Sequence, residues 1–327
     1  MNQTQDFTKG VIWKQLLFFF FPILIGSFFQ QLYNTVDTII VGQTVGTSAL
    51  AAVGSTGNLT NLIINFYIGL STGASVVIAQ YYGAQNNKKI HQAVHTSYSL
   101  AIVSGILMML FGLFFSYQCL DAIGTPHDIL NDATLYMQLY FLCMIPGAIY
   151  NIGAGILRAV GDSKRPLYYL IVCSIVNVVF DFIFVVIFHQ GIAGAAIATV
   201  IAQSVCAILV TIQLMRTNEV YKLTLSKMKF HLPVLKKIIM IGAPAGIQST
   251  MYSISNIVLQ SHINAFGTQT IASWSVYVKI DALFWMMIAA IGAAITTFSG
   301  QNYGAQYNTL LNRQLYHKII LIRSTYY

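Results

Sequence analysis

A chain of 327 residues that is 56% hydrophobic and 8% charged cannot be an ordinary soluble domain, where roughly 25% of residues are charged. Its apolar runs recur along the whole length at the ~20 residues a helix needs to cross a bilayer, which predicts an all-α, polytopic membrane protein. The net charge of +8 does not call for a nucleic-acid partner, because the basic residues sit in short loops between apolar spans, where they report orientation.

Taken in chain order, Lys9 and Lys14 precede the apolar run Leu16–Phe29, which continues to Ile40 without a small-residue cleavage site and so reads as a first span. Eight spans are predicted, near 14–40, 51–82, 93–116, 133–157, 166–188, 192–215, 236–263 and 271–300. Pro22, Pro146 and Pro244 lie inside spans one, four and seven, where each removes a backbone donor and can kink the helix. The four cysteines, Cys119, Cys143, Cys173 and Cys206, have no metal-site spacing and read as buried apolar groups. His91 and His95 stand four apart, but no third ligand accompanies them, so a solvated helix end is expected and no metal or cofactor is implied.

Lysines and arginines occupy alternate connections. Lys88 and Lys89, then Arg158, Lys164 and Arg165, then the cluster from Arg216 to Lys237, lie on the side of Lys9 and Lys14. The positive-inside rule makes that side cytoplasmic, with the N-terminus inside and the chain multi-pass in the cell (plasma) membrane.

The chain also repeats itself. Gln80-Tyr-Tyr-Gly-Ala-Gln85 recurs as Gln301-Asn-Tyr-Gly-Ala-Gln306, and Val45-Gly-Thr-Ser-Ala-Leu-Ala51 as Phe266-Gly-Thr-Gln-Thr-Ile-Ala272, both at an offset of 221, while Pro22 matches Pro244 at 222. This predicts a complete six-helix lobe over 1–216, a cytoplasmic linker over 217–237, the first two helices of a second lobe over 238–307 and an atypical tail over 308–327. On that logic the chain looks truncated, four helices short of a second lobe.

Three acids fall at membrane depth: Asp37 in span one, Asp181 in span five and Asp281 in span eight. A carboxylate at the bilayer centre costs about 2.5–3.5 kcal/mol on insertion scales, so each marks a candidate site. Asn34 precedes Asp37 and Asn177 precedes Asp181 by one helical turn, which puts amide and acid on one face. Span six offers a small-residue face, Gly191, Gly194, Ala195 and Ala198, with Thr199 and Gln203, so Thr199 can approach the acid of span five. The expected cluster is Asp37, Asn177, Asp181 and Thr199, with Asn34 at its edge. Its oxygens suit reversible proton binding or a hard cation such as Na⁺. A polar network that merely orders helix packing is the alternative. Lys279 and Asp281 are two apart and do not share a helical face; with Gln248 they are candidate gating or second-lobe groups. Among the abundant aromatics, Phe28, Phe29, Tyr33, Phe66, Tyr67, Tyr140, Tyr150 and Trp274 could line a cavity for an organic cation.

These motifs, together with Gln31-Leu-Tyr-Asn-Thr-Val-Asp37 and Arg158-Ala-Val-Gly-Asp-Ser-Lys-Arg-Pro166, resemble the multidrug and toxic compound extrusion family of secondary transporters. The resemblance covers spans one to eight. It implies a twelve-helix protein of two six-helix lobes, acting as a monomer when complete, that exports organic and often cationic compounds in exchange for H⁺ or Na⁺. It also implies a cation-binding role for Asp37, Asn177, Asp181 and Thr199, and a capping role for the 158–166 loop at the end of span four. The chain departs from some relatives in having no acid in span seven. No catalytic residues are expected; an inactive fragment of such an exporter, a lipid-linked oligosaccharide flippase and an integral membrane enzyme are the competing readings.

Overall fold

A computed structural model describes residues 6–8, 10–264 and 268–305. Among these residues the chain is helical without strands: α1 (Ile12–Thr44), α2 (Thr47–Gly83), α3 (Asn87–Ala122), α4 (His127–Phe141), α5 (Met144–Ala159), α6 (Lys164–Asp181), α7 (Gly191–Arg216), α8 (Leu232–Asn264) and α9 (Thr268–Gly304). The expected tail over 308–327 lies outside the described residues.

Six of the helical segments are long and apolar enough to cross a membrane, or seven if α4 and α5 form one bent span. The difference from eight predicted spans lies in α8. It has 33 residues, but Gln248, Ser249, Thr250, Ser253, Ser255 and Asn256 dilute its apolar character. Span four is likewise not one helix but two, bent by 44°. Leu142 and Cys143 donate to the carbonyls of Leu139 and Tyr140 in tight turns at the break. Pro146 then sits in the first turn of α5, where a missing N–H leaves no intrahelical bond unmade.

Large apolar side chains such as Phe18, Phe21, Leu107, Phe114, Ile175 and Ile208 face outward, as expected where lipid replaces water. The interior is built around α2, which packs on α3, α4, α5, α8 and α9. Its core joins Ile78, Tyr98, Leu120, Phe141, Ile152 and Leu157 into one cluster that also takes in Tyr221 and Leu223 of the linker and Ile238 of α8. The linker is therefore part of the packed body. Leu223 N–H donates to the Leu214 carbonyl at 2.8 Å, and His231 N–H donates to the Thr96 hydroxyl at 3.1 Å.

That packing corrects the expectation of a solvated end at His91 and His95. His95 is fully buried, its ring stacked on His91 at 4.0 Å; Nδ1 meets the His91 carbonyl at 2.7 Å, and Thr224 N–H donates to Nε2 at 3.1 Å. The linker covers this end of α3, which no periodicity in α3 itself announces.

The loop after α5 fills its expected capping role and adds a second one: with Gly161 in the left-handed region at φ 89°, Gly161 N–H donates to the Arg158 carbonyl and Asp162 N–H to the Leu157 carbonyl, both at 2.9 Å, which closes the end of α5. Asp162 is fully buried and caps the start of α6: the backbone N–H groups of Lys164 and Arg165 donate to its Oδ1 at 3.2 and 3.1 Å, and the Arg165 guanidinium donates to Oδ2 at 3.0 Å. Burial raises the Asp162 carboxyl above the usual carboxylate range, an effect that these bonds and the Arg165 charge oppose. One more carbonyl at the end of α5, that of Ala159, is met from elsewhere in the chain by the Gln301 amide, which donates to it at 2.9 Å.

Candidate functional site

The expected acids come together where α1, α4, α6 and α7 meet. Asn177 and Asp181 are fully buried on α6, whereas Asp37 on α1 is half-buried. The charge of Asp37 reaches Asp181, and Tyr136 on α4 borders both acids. The Asn177 amide donates to the Thr199 hydroxyl at 3.5 Å, a long contact, and that hydroxyl donates to the Ala195 carbonyl at 3.1 Å. Thr199 thus touches Asn177 rather than a carboxylate, contrary to expectation, because its proton is already committed one helical turn back.

What stands out is the set of unsatisfied acceptors. Asp37 Oδ1, Asn177 Oδ1 and both carboxylate oxygens of Asp181 are buried without a hydrogen-bond partner among the described residues. A buried, unpaired carboxylate is costly, and the cost disappears when a proton or a hard cation binds. The four oxygens are of the type that Na⁺ prefers, and two of the groups can carry a proton.

Local backbone explains the placement of Asp181. Directly after it, α6 widens into a π turn over Phe182–Ile187, in which Phe188 N–H reaches back to the Ile183 carbonyl at 2.9 Å. Such turns often occur at functional sites. This one carries Val185 into a small apolar cluster with Val41, Tyr136, Ile192, Ala195 and Ala196. Close approach of α7 depends on Gly194, where an added Cβ would press on Phe184.

Three tyrosines complete the site. Tyr136 and Tyr140, one helical turn apart on α4, stack at 6.1 Å, and Gln203 on α7 donates to the hydroxyl of the buried Tyr33 at 3.5 Å. Tyr33, Tyr140 and Gln203 were legible as polar or aromatic candidates; Tyr136 was missed, and its only signal was the four-residue spacing from Tyr140.

Other expected residues are not brought in. Asn34 is exposed, although it stands one helical turn before the half-buried Asp37. Gln248 on α8 is exposed and Asp281 on α9 is half-buried; α8 packs on α2, α3 and α9, and α9 on α1, α2, α5 and α8, away from α6 and α7. The Lys279 side chain lies outside the described residues. Of the aromatics named as cavity candidates, Phe28 is exposed, while Phe66 lines a separate apolar cavity of about 270 Å³ between α2, α3 and α8.

Comparison with known proteins places this architecture. The MatE family model matches residues 22–183 and 244–325. The probable multidrug resistance protein YoeA of Bacillus subtilis (strain 168) is 29% identical over 311 residues, covering 92% of this chain and 67% of the relative. The multidrug export protein MepA of Staphylococcus saprophyticus is 20% identical, with 92% and 67% covered. Among solved structures, MATE in the bent conformation superposes with a TM-score of 0.83 at 28% identity, over 89% of this chain and 65% of that one. An outward-facing multidrug resistance MATE family transporter of the MOP superfamily gives 0.83 at 27%, with the same coverage. The chain thus spans about two thirds of the length of the relatives it matches. With the family model matched over most of its length and the helices superposing at this level, the chain belongs to the MATE transporter family, MatE.

Proposed function

We propose that the chain exports organic, cationic compounds across the cell membrane in exchange for H⁺ or Na⁺, with its N-terminus cytoplasmic and with Asp37 and Asp181 as the coupling acids. Asn177 orients the pair, and Thr199 holds Asn177. The observation that carries this reading is the group of buried oxygens without partners on Asp37, Asn177 and Asp181, which a proton or a cation would satisfy. The multidrug names of the relatives support export and do not favour the flippase alternative. In this reading residues 1–216 form the lobe that contains the coupling site, 217–237 the linker, and 238–307 the beginning of the partner lobe.

The test uses the chain in proteoliposomes. An infrared band of protonated carboxyl groups should grow on acidification, shrink by about half in Asp37→Asn and in Asp181→Asn, and be displaced by Na⁺ if that is the coupling ion. Export of a fluorescent organic cation driven by a pH or Na⁺ gradient should fall to background in either variant. Gradient-driven export at the wild-type rate by the double variant would overturn the assignment.

A further inference from the structure

At the end of the bundle where the basic loops gather, the two repeated motifs meet. A Cβ on Gly83 would run into the Gln301 carbonyl, and one on Gly304 into the Gln80 carbonyl, so the motifs face each other reciprocally. Beside this contact opens a cleft of about 670 Å³, lined by Gln80, Tyr81, Lys89, Lys237, Tyr303 and Gly304. Lys89 at the start of α3 and Lys237 near the start of α8 place their ammonium groups 5.6 and 5.4 Å from the centroid of one ring, that of Tyr81, which is 9% exposed.

Among the described residues no carboxylate lines the cleft, and the one salt bridge is that of Arg165 with Asp162. Two cations sharing one aromatic ring repel each other, and the ring quadrupole offsets only part of that repulsion. We propose that this cleft binds a phosphate-bearing anion, the headgroup of an anionic phospholipid or a soluble phosphate ester, and that the anion ties α3 to α8 across the paired motifs. Lysine serves phosphate as a point charge. The Gln80 amide and the Tyr303 hydroxyl add neutral donors. The Tyr81 ring holds both lysine heads in place before the anion arrives, so less is lost in ordering them. The position also fits: apolar helices give way to basic loops here, which is where headgroups of the leaflet lie. This site is separate from the acid cluster and does not depend on the export reading.

Native mass spectrometry of the purified chain tests the proposal, with phosphatidylglycerol, phosphatidylcholine or glycerol 3-phosphate added. Each of Lys89→Gln and Lys237→Gln should weaken phosphatidylglycerol retention about fivefold and the pair about twenty-fivefold, while Lys222→Gln on the linker leaves it unchanged. Retention of phosphatidylglycerol that glycerol 3-phosphate does not displace identifies a lipid ligand; displacement identifies a site that also accepts soluble esters. Either result supports the cleft. Should the double variant fail to fold, the wild-type chain decides alone, because retention must fall as salt approaches 1 M, where the screening length is ~3 Å. Retention that ignores both the lysines and the salt, or that is equal for phosphatidylcholine, overturns the proposal.

Discussion

The motif that ends α2 and the one that ends α9 are close copies, yet they do different work. Gln301 is fully buried; its amide donates to the Ala159 carbonyl at 2.9 Å, and its carbonyl oxygen accepts from Phe7 N–H at 3.2 Å. The neighbouring Asn302 amide donates to the Phe7 carbonyl at 3.1 Å. Through these bonds the second copy anchors the start of the chain, where Phe7 wedges between Phe19 and Phe298 at centroid distances of 5.1 and 6.1 Å. Gln80, its counterpart, is half-buried and borders the basic cleft. The prolines diverge in the same way, Pro22 being buried in α1 and Pro244 exposed on α8. The lesson is that a repeat transmits backbone shape and helix-to-helix proximity, while the task of each polar side chain is set by whatever packs onto it.

The reciprocal glycine contact should be the most sensitive point of that comparison. Gly83→Val and Gly304→Val should each cost about 3 kcal/mol, because backbone rather than a movable side chain occupies the space, and thermal unfolding in detergent would measure it. Gly292→Val, where nothing lies within 4 Å of the added Cβ, should cost under ~0.5 kcal/mol. Equal losses at all three positions would refute the close packing of the motifs.

A smaller asymmetry separates the glutamines. Gln301→Ala strands a buried carbonyl and a buried N–H and should cost ~1–3 kcal/mol, whereas Gln80→Ala should stay within ~0.5 kcal/mol. Denaturant melts of the two variants would show whether the copies are as unequal as their surroundings suggest. His95→Ala removes the acceptor for Thr224 N–H, so tryptic cleavage within the linker should quicken several-fold, with little change for His91→Ala. The smallest effect is expected from Asp281→Asn, which lies away from the acid cluster and should leave the carboxyl band of Asp37 and Asp181 intact.

Much of this was legible without coordinates. Alternating apolar spans and polar loops are imposed by the bilayer, which tolerates only backbone that satisfies its own hydrogen bonds, so the all-helical spans follow from composition and period. The meeting of α1, α6 and α7 also followed from local rules, since Asn177 and Asp181 share a helical face and α7 offers small residues for close approach. The break between α4 and α5 was legible only as a proline, because a kink and a split helix leave the same trace in sequence.

By itself, then, the sequence determined the helices, the repeat and the candidate acids, because each of these rests on interactions within a turn or two of one helix or between a helix and its solvent. Only the tertiary structure decided that Asn34 turns outward, that Tyr136 and the π turn after Asp181 border the acids, that the linker buries His95, and that two lysines from different helices share the ring of Tyr81. Those outcomes depend on contacts between segments far apart in the chain, where the partner of a polar group is chosen by packing and no local pattern records the choice.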